Sequence, residues 1–365
     1  MAARARKRAR GLRKTPTTYT LLRGSPPDHE MTDTTLTPAA AAITLNQLGR
    51  VGNGLNRPEC VLATERGELF AADWRGGVAQ VWPDGSQTLY AGEVPGGDRP
   101  LRPNGIAMRP DGSFLVADLG EESGGVFELR RDGTVRPIVA EVDGAPLPPT
   151  NFAHEDAQGR IWATVSTRTV PRAADYRPDA ASGFIVVADR RGARIVADGL
   201  GYTNEALVSP DGRHLYVNET FARRLSRFRI GTDGALSARE TVATFGSGTF
   251  PDGLAFDCEG AVWVTSIVSN RVIRVTADGA QQLMLEDADA AHVDWVEAAY
   301  HAGTMGRPHL DRAAGRRLKN ISSLAFGGRD LRTAYLGCLL GDSIMTFRAP
   351  VAGHPPVHWR YPVSR

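Results

Sequence analysis

RPNGIAMRPDGSFLVADL, residues 102–119, is a polar anchor, a short apolar strand, a Pro110-Asp111-Gly112 turn and a second strand ending in a polar residue. The Pro-Asp-Gly tripeptide has turn chemistry, because proline presets one φ, aspartate caps the backbone and glycine accepts a positive φ. The same pattern occurs as RPECVLATERGELFAADW from residue 57 and TNFAHEDAQGRIWATVS from 150. It returns as TNEALVSPDGRHLYVNE from 203 and PDGLAFDCEGAVWVTSI from 251. A sixth copy, ISSLAFGGRDLRTAYLGCL from 321, has two extra turn residues.

One offset fixes the register. Glu59, Asn104, Asn151, Asn204 and Asp252 are each followed eight positions later by Gly67, Gly112, Gly159, Gly212 and Gly260. The steps between anchors are 45, 47, 53 and 48 residues, then 70 to Ser322. Further strand-like runs, such as GVFELRRDG and RVIRVTADG, follow each pair and end in a glycine turn. Four strands in a period of roughly 40–50 residues indicate a β-propeller. The expected fold is therefore all-β: six blades of four antiparallel strands. A β-sandwich would not explain a register kept from residue 57 to about 348.

Working outward, 365 residues exceed the usual single-core limit unless the architecture grows by repetition. The 40 glycines and 23 prolines are dispersed as turns would be. The net charge of +2 hides an asymmetry: residues 1–30 carry eight Arg/Lys against Asp28 and Glu30, so the rest is net acidic. This makes 1–44 a basic leader, with Met31 as a possible true start, and 45–365 the propeller. The tract 31–43 reads as disordered. The basic tail has no nucleic-acid-binding motif behind it, and no apolar run of 18 residues is present to span a bilayer. Three widely spaced cysteines, Cys60, Cys258 and Cys338, fit neither a disulfide framework nor a zinc site, and a reducing bacterial cytoplasm is expected. Arginine outnumbers lysine 40 to three, the usage of a GC-rich genome.

The first strand of a propeller blade lines the central channel, so the six anchors converge at one mouth although far apart in sequence. All six carry side-chain oxygen. Two carboxylates among amides suit a hard divalent cation, above all Ca²⁺, although Zn²⁺, Mn²⁺ or Mg²⁺ can use an all-oxygen site. Against this, an Asn or Asp before a strand often bonds its own backbone in a turn. Asn104 fits both readings.

Here the residues resemble the senescence marker protein (regucalcin)/gluconolactonase/LRE-like family, related to paraoxonase and diisopropylfluorophosphatase propellers. Pro58-Glu59 is similar to its E-G-P opening, with Cys60 replacing Gly. Asn151 with Gly159-Arg160 resembles its N-D-G…G-R blade. Asn204 resembles its S-N-G anchor, with Glu205 replacing Gly. Pro251-Asp252-Gly253 matches its P-D-G, and Gly327-Gly328 its F-G-G turn. The resemblance, over roughly 45–350, implies one divalent cation on Glu59, Asn151, Asn204 and Asp252 and hydrolysis of a small-molecule lactone or related ester. Asp252 is then the catalytic residue, as general base or nucleophile, and Asn104 and Arg168 are substrate-binding candidates. The sugar-contacting Arg of the family is missing, since Pro149 stands two residues before Asn151; Arg102 holds the corresponding place on blade two. A phosphotriesterase-like hydrolase, a non-catalytic calcium- or ligand-binding propeller and a strictosidine-synthase-like enzyme are the alternatives. No G-x-S-x-G, H-E-x-x-H or Walker motif is present. His154, at offset three from Asn151, is expected to pack in the core. Residues 284–318 break the repeat, and their helical pattern makes them a lid or a dimer contact.

Overall fold

The computed structural model describes residues 36–362. The basic leader up to residue 35, Met31 included, lies outside the described residues.

Six four-stranded antiparallel blades follow one another. Blade one comprises Val61–Ala63, Leu69–Asp73, Gly77–Val81 and Gln87–Ala91. Blade two starts at Pro103–Met108, blade three at Phe152–Glu155 and blade four at Thr203–Val208. Blade five starts at Thr249–Phe256 and blade six at Ile321–Gly327. The five offset glycines occupy left-handed φ, from +73° to +87°, and Gly328 does so in blade six. That conformation explains the fixed offset, because a Cβ is strained there. In four of these turns an aspartate accepts a hydrogen bond from the N–H two residues on: Asp111 from Ser113, Asp156 from Gln158, Asp211 from Arg213 and Asp257 from Glu259, at 2.9–3.0 Å.

Blade six is completed from the other end of the chain. Gly49–Val51 pairs antiparallel with Ile344–Arg348 as its outermost strand, which closes the ring. Thr37–Pro38 adds a short parallel strand to the edge of blade five at Gln282 and Leu283, and Ile43 is buried. The expected disorder of 31–43 therefore fails from residue 36 onward. Polarity of the tract was misleading, because backbone pairing at a sheet edge needs no apolar side chain.

Buried aliphatic and aromatic side chains fill the spaces between blades. Phe70, Phe114 and Val116 pack between blades one and two, for example, and Trp263, Phe326 and Phe347 between five and six. Between blades five and six lie helix α1 (Ala290–His301) and the short α2 (Arg307–Leu310). Asp289 caps α1 by accepting from the His292 N–H at 2.8 Å. The buried face, His292, Val296, Ala299 and Tyr300, follows the expected helical spacing. No described helix is long and apolar enough to cross a membrane.

Strand direction sorts the loops. First strands run away from the anchors, so the loops after each second and fourth strand return to the anchor end. Both helices and the loop 166–182 therefore sit at the anchor end, whereas residues 349–362 lie at the opposite end.

Candidate active site at the anchor mouth

The anchors owe their positions to a recurring backbone defect. In blades two, four, five and six two residues oppose one across the first strand pair. The doubled residues are Asn104-Gly105, Asn204-Glu205, Asp252-Gly253 and Ser322-Ser323. A bulge there breaks the in–out alternation and re-aims the side chain. Glu59 and Asn151 lie just before the first strands of blades one and three, Asn151 directly and Glu59 with Cys60 between.

Each blade holds a backbone carbonyl at the next one's anchor, that of the anchor itself or, in blade two, of Pro103 just before it. Trp74 Nε1 donates to Pro103 O at 2.9 Å, Asn104 Nδ2 to Asn151 O at 3.0 Å and Thr164 Oγ1 to Asn204 O at 2.8 Å. Asn218 Nδ2 donates to Asp252 O at 3.0 Å, Thr265 Oγ1 to Ser322 O at 2.8 Å and Ser322 Oγ to Glu59 O at 2.7 Å. The circuit closes on the first blade. It uses backbone carbonyls and leaves the anchors' carboxylate and amide oxygens for a ligand. Ser322 thus acts as a strut.

Glu59, Asn104, Asn151, Asn204 and Asp252 are all buried. Burial, then the neighbouring charges of Glu59 and Glu205, pushes the Asp252 carboxyl well above the usual carboxylate range. Burial raises Glu205 to about 8, with Glu59 adding to it and the Leu254 N–H opposing it. Glu59 Oε2 accepts from Arg57 Nε at 2.7 Å. Asn104 Oδ1 and Asn151 Oδ1 are buried without a hydrogen-bond partner. Among the described residues no three His, Cys, Asp or Glu form a ready-made metal cluster. The donor set is instead mixed, with carboxylates and amides. Orphaned amide oxygens beside mutually repelling carboxylates are what a hard oxygen-seeking cation would relieve, so these residues fit one.

Two arginines singled out in the sequence are already partnered. Arg168 forms a forked pair with Asp198 at 2.7 and 2.9 Å, donates to Ser182 O and covers the Phe184 ring, so its guanidinium is engaged on blade three. Arg102 pairs with Glu121 at 2.9 Å. Sequence reasoning missed three charged residues whose fields reach Asp252: Arg57, Arg172 and Glu205. Glu205 had left a signal, as the departure from glycine after Asn204.

The helices cover the rim. Tyr300 Oη donates to Phe221 O at 2.5 Å, and Glu297 pairs with Arg223 and accepts from the Gly248 N–H. Tyr176, Tyr202, Phe221, Phe250 and Tyr300 form a continuous aromatic wall below them.

Beneath the anchor ring, toward the other end, lies a cavity of about 370 Å³. Cys60 and Glu205 line its upper part, Ile106, Phe152, Leu254 and Phe326 its sides, and tail residues 354–358 its far end. His154 faces this cavity, contrary to the expected core packing, because its strand borders the channel. Burial lowers His154 to about 4 and His358 to about 4, the latter also through His154.

Residues 120–286 match the SMP-30/gluconolactonase/LRE-like region. The chain carries an SMP-30/gluconolactonase/LRE-like region. A 6-deoxy-6-sulfogluconolactonase of Pseudomonas putida is 28% identical over 235 residues, covering 63% of this chain and 67% of that protein. A pentonolactonase of Haloferax volcanii is 27% identical over 243 residues, covering 65% and 67%. Among solved structures, a Xanthomonas campestris gluconolactonase superposes with a TM-score of 0.60 at 20% identity, covering 87% of this chain and 98% of its own. Agrobacterium tumefaciens regucalcin gives 0.61 at 16%, covering 86% and 97%. At that identity these two structures speak for the fold. The SMP-30-like region spans the second strand pair of blade two to the last strand of blade five, and so includes Asn151, Asn204 and Asp252 but not Glu59.

Proposed function

We propose that this protein is a lactone hydrolase whose site holds one divalent cation, Ca²⁺ by donor chemistry, on Glu59, Asn151, Asn204 and Asp252. The observation that carries the reading is the pair of buried, unpartnered amide oxygens, on Asn104 and Asn151, among anchors that also include two buried carboxylates, Glu59 and Asp252, whose charges repel. The lactonases among its relatives support the substrate class. When bound, the cation supplies charge compensation and polarises the lactone carbonyl. The residues do the rest. Asn151 and Asn204 present neutral oxygens, so that the net negative charge stays on Glu59 and Asp252. An Asp252 carboxylate oxygen accepts the proton of the attacking water. The water oxygen bonds to the acyl carbon, the ring C–O bond breaks, and the departing oxygen takes the proton back from Asp252, leaving as a hydroxyl of the open acid and restoring the carboxylate. The aromatic wall and α1 limit access of bulk water. Asn104, with an orphaned oxygen beside the same mouth, is placed to meet a substrate hydroxyl. Three free cysteines, two of them buried, agree with a reducing cytoplasm.

The test is turnover of a panel of aldonolactones and aryl esters by the purified protein and by Asp252→Asn. Lactone opening that falls at least about a thousandfold in the variant supports the reading. An active Asp252→Asn protein, or a wild type inert on every lactone, contradicts it.

A further inference from the structure

We infer that Arg172 is a specificity residue that binds a fixed negative charge on the substrate, so that the preferred lactone is anionic. This rests on the lactone-hydrolase reading above and narrows its substrate class.

Arginines are abundant around the mouth, but most are already neutralised. Arg57 is paired with Glu59 and lies over the Trp74 ring. Arg168 is held by Asp198, Arg177 by Asp175 and Asp179, Arg223 by Glu297 and Arg307 by Asp311. Arg172 differs. Among the described residues no carboxylate pairs with it, and its Nε is buried without a hydrogen-bond partner. Its one bond runs from a terminal nitrogen to Ser166 Oγ at 2.9 Å, and its guanidinium lies 5.4 Å from the centre of the Tyr202 ring. Of the two arginines whose charge acts on Asp252, Arg57 already has a carboxylate partner in Glu59, whereas Arg172 has none among the described residues.

The loop that carries Arg172 is fixed in place. Asp175 accepts from Thr169 Oγ1 at 2.9 Å and Ser182 Oγ at 2.8 Å, and Thr167 also donates to it. Ser166 in turn donates to Thr203 O at 2.7 Å, one residue before the Asn204 anchor. The guanidinium is thus tied to the backbone that positions the site. Tyr202 lies beside it, and Tyr176 packs edge-on against Tyr202, so the neighbouring side chains offer hydroxyls and ring faces. A cation held against an aromatic wall, with an unused donor edge, is built for a carboxylate, phosphate or sulfonate, which guanidinium binds through paired hydrogen bonds.

The experiment measures kcat/KM for a neutral six-carbon aldonolactone and for analogues with a terminal carboxylate, phosphate or sulfonate. Wild type should prefer at least one anionic lactone about tenfold or more, mainly through KM. Arg172→Met should bring that ratio to about one, and Arg172→Lys should restore part of it. Because the readout is a ratio within one protein, partial loss of folded variant does not distort it. A wild-type ratio near one, or a ratio that survives in Arg172→Met, overturns the inference while leaving lactone hydrolysis intact. If no lactone is opened, the hydrolase reading is the one that fails. Calorimetry with the ring-opened acids then decides the charge question. Tighter binding of the acid with the extra terminal anion, lost in Arg172→Met, supports the inference, and equal binding overturns it.

Discussion

Acidification should loosen the C-terminal tail before it unfolds the propeller. His154 and His358 face the cavity beneath the anchor ring, and His358 belongs to the segment across its far end. Both are held at about 4 against an ordinary value of 6.5. A histidine whose folded value is lowered favours the docked state above pH 6.5 and loses that contribution as pH falls from 6.5 toward 4. At pH 5 the linkage relation gives about 2 kcal/mol per ring relative to neutral pH. Each ring keeps some contact with water in the cavity, so about 2 kcal/mol for the pair is the expected loss. Undocking the tail hydrates both rings at little cost to the blades. The assay is hydrogen exchange of the tail amides. His354 N–H bonds to Phe256 O, Trp359 N–H to Pro356 O and Tyr361 N–H to His358 O, at 2.8, 3.0 and 3.0 Å. After correction for intrinsic rates, their protection should fall about thirtyfold between pH 8 and pH 5, and blade-core amides should not follow. A His154→Leu, His358→Leu protein should lose most of this pH dependence. Tail protection that is flat with pH in the wild type would refute the reasoning.

Three further outcomes follow from the same contacts. Asn218→Ala removes the donor to both Asp252 O and Gly253 O, each at 3.0 Å, and should cost about 2–3 kcal/mol in urea unfolding while lowering kcat. Arg168→Ala should change kcat/KM less than about threefold, because its partners are Asp198, Ser182 and Phe184, and should cost under about 1 kcal/mol. A thiol reagent under native conditions should label Cys258 rapidly and Cys60 and Cys338 slowly. Cys258 is exposed, whereas burial raises the other two thiols, Cys338 to about 11.

The six-fold register was readable because five blades repeat a local necessity, a positive-φ glycine eight residues after an anchor, and the sixth keeps a positive-φ glycine in the same turn. Helix α1 was readable for a similar reason, since its buried positions recur at helical spacing. Features that join distant segments carried no such signal. Gly49–Val51 has three residues and no period, yet it closes the ring. Thr37–Pro38 pairs through its backbone, so its side chains do not announce it. The tail that crosses the far end resembles an ordinary polar terminus in sequence. At the mouth, the convergence of anchors was legible from spacing, whereas the choice between Arg168 and Arg172 was not. Both lie in one loop, and it is Asp198, on another strand, that engages Arg168, whereas Arg172 bonds only to Ser166 Oγ. Glu205 was visible as a departure from glycine, but its place beside Glu59 and Asp252 depends on the bulge in blade four.

The cation is the part of the site that a single measurement tests. Wild-type protein stripped with chelator should lose lactone turnover, recover it on titration with Ca²⁺ and gain thermal stability in proportion to occupancy, as any ligand of the folded state confers. Glu59→Gln and Asp252→Asn should weaken that Ca²⁺ stabilisation. Full lactone turnover by rigorously chelated protein, or a melting temperature indifferent to Ca²⁺, Mn²⁺, Mg²⁺ and Zn²⁺ alike, would contradict the central claim.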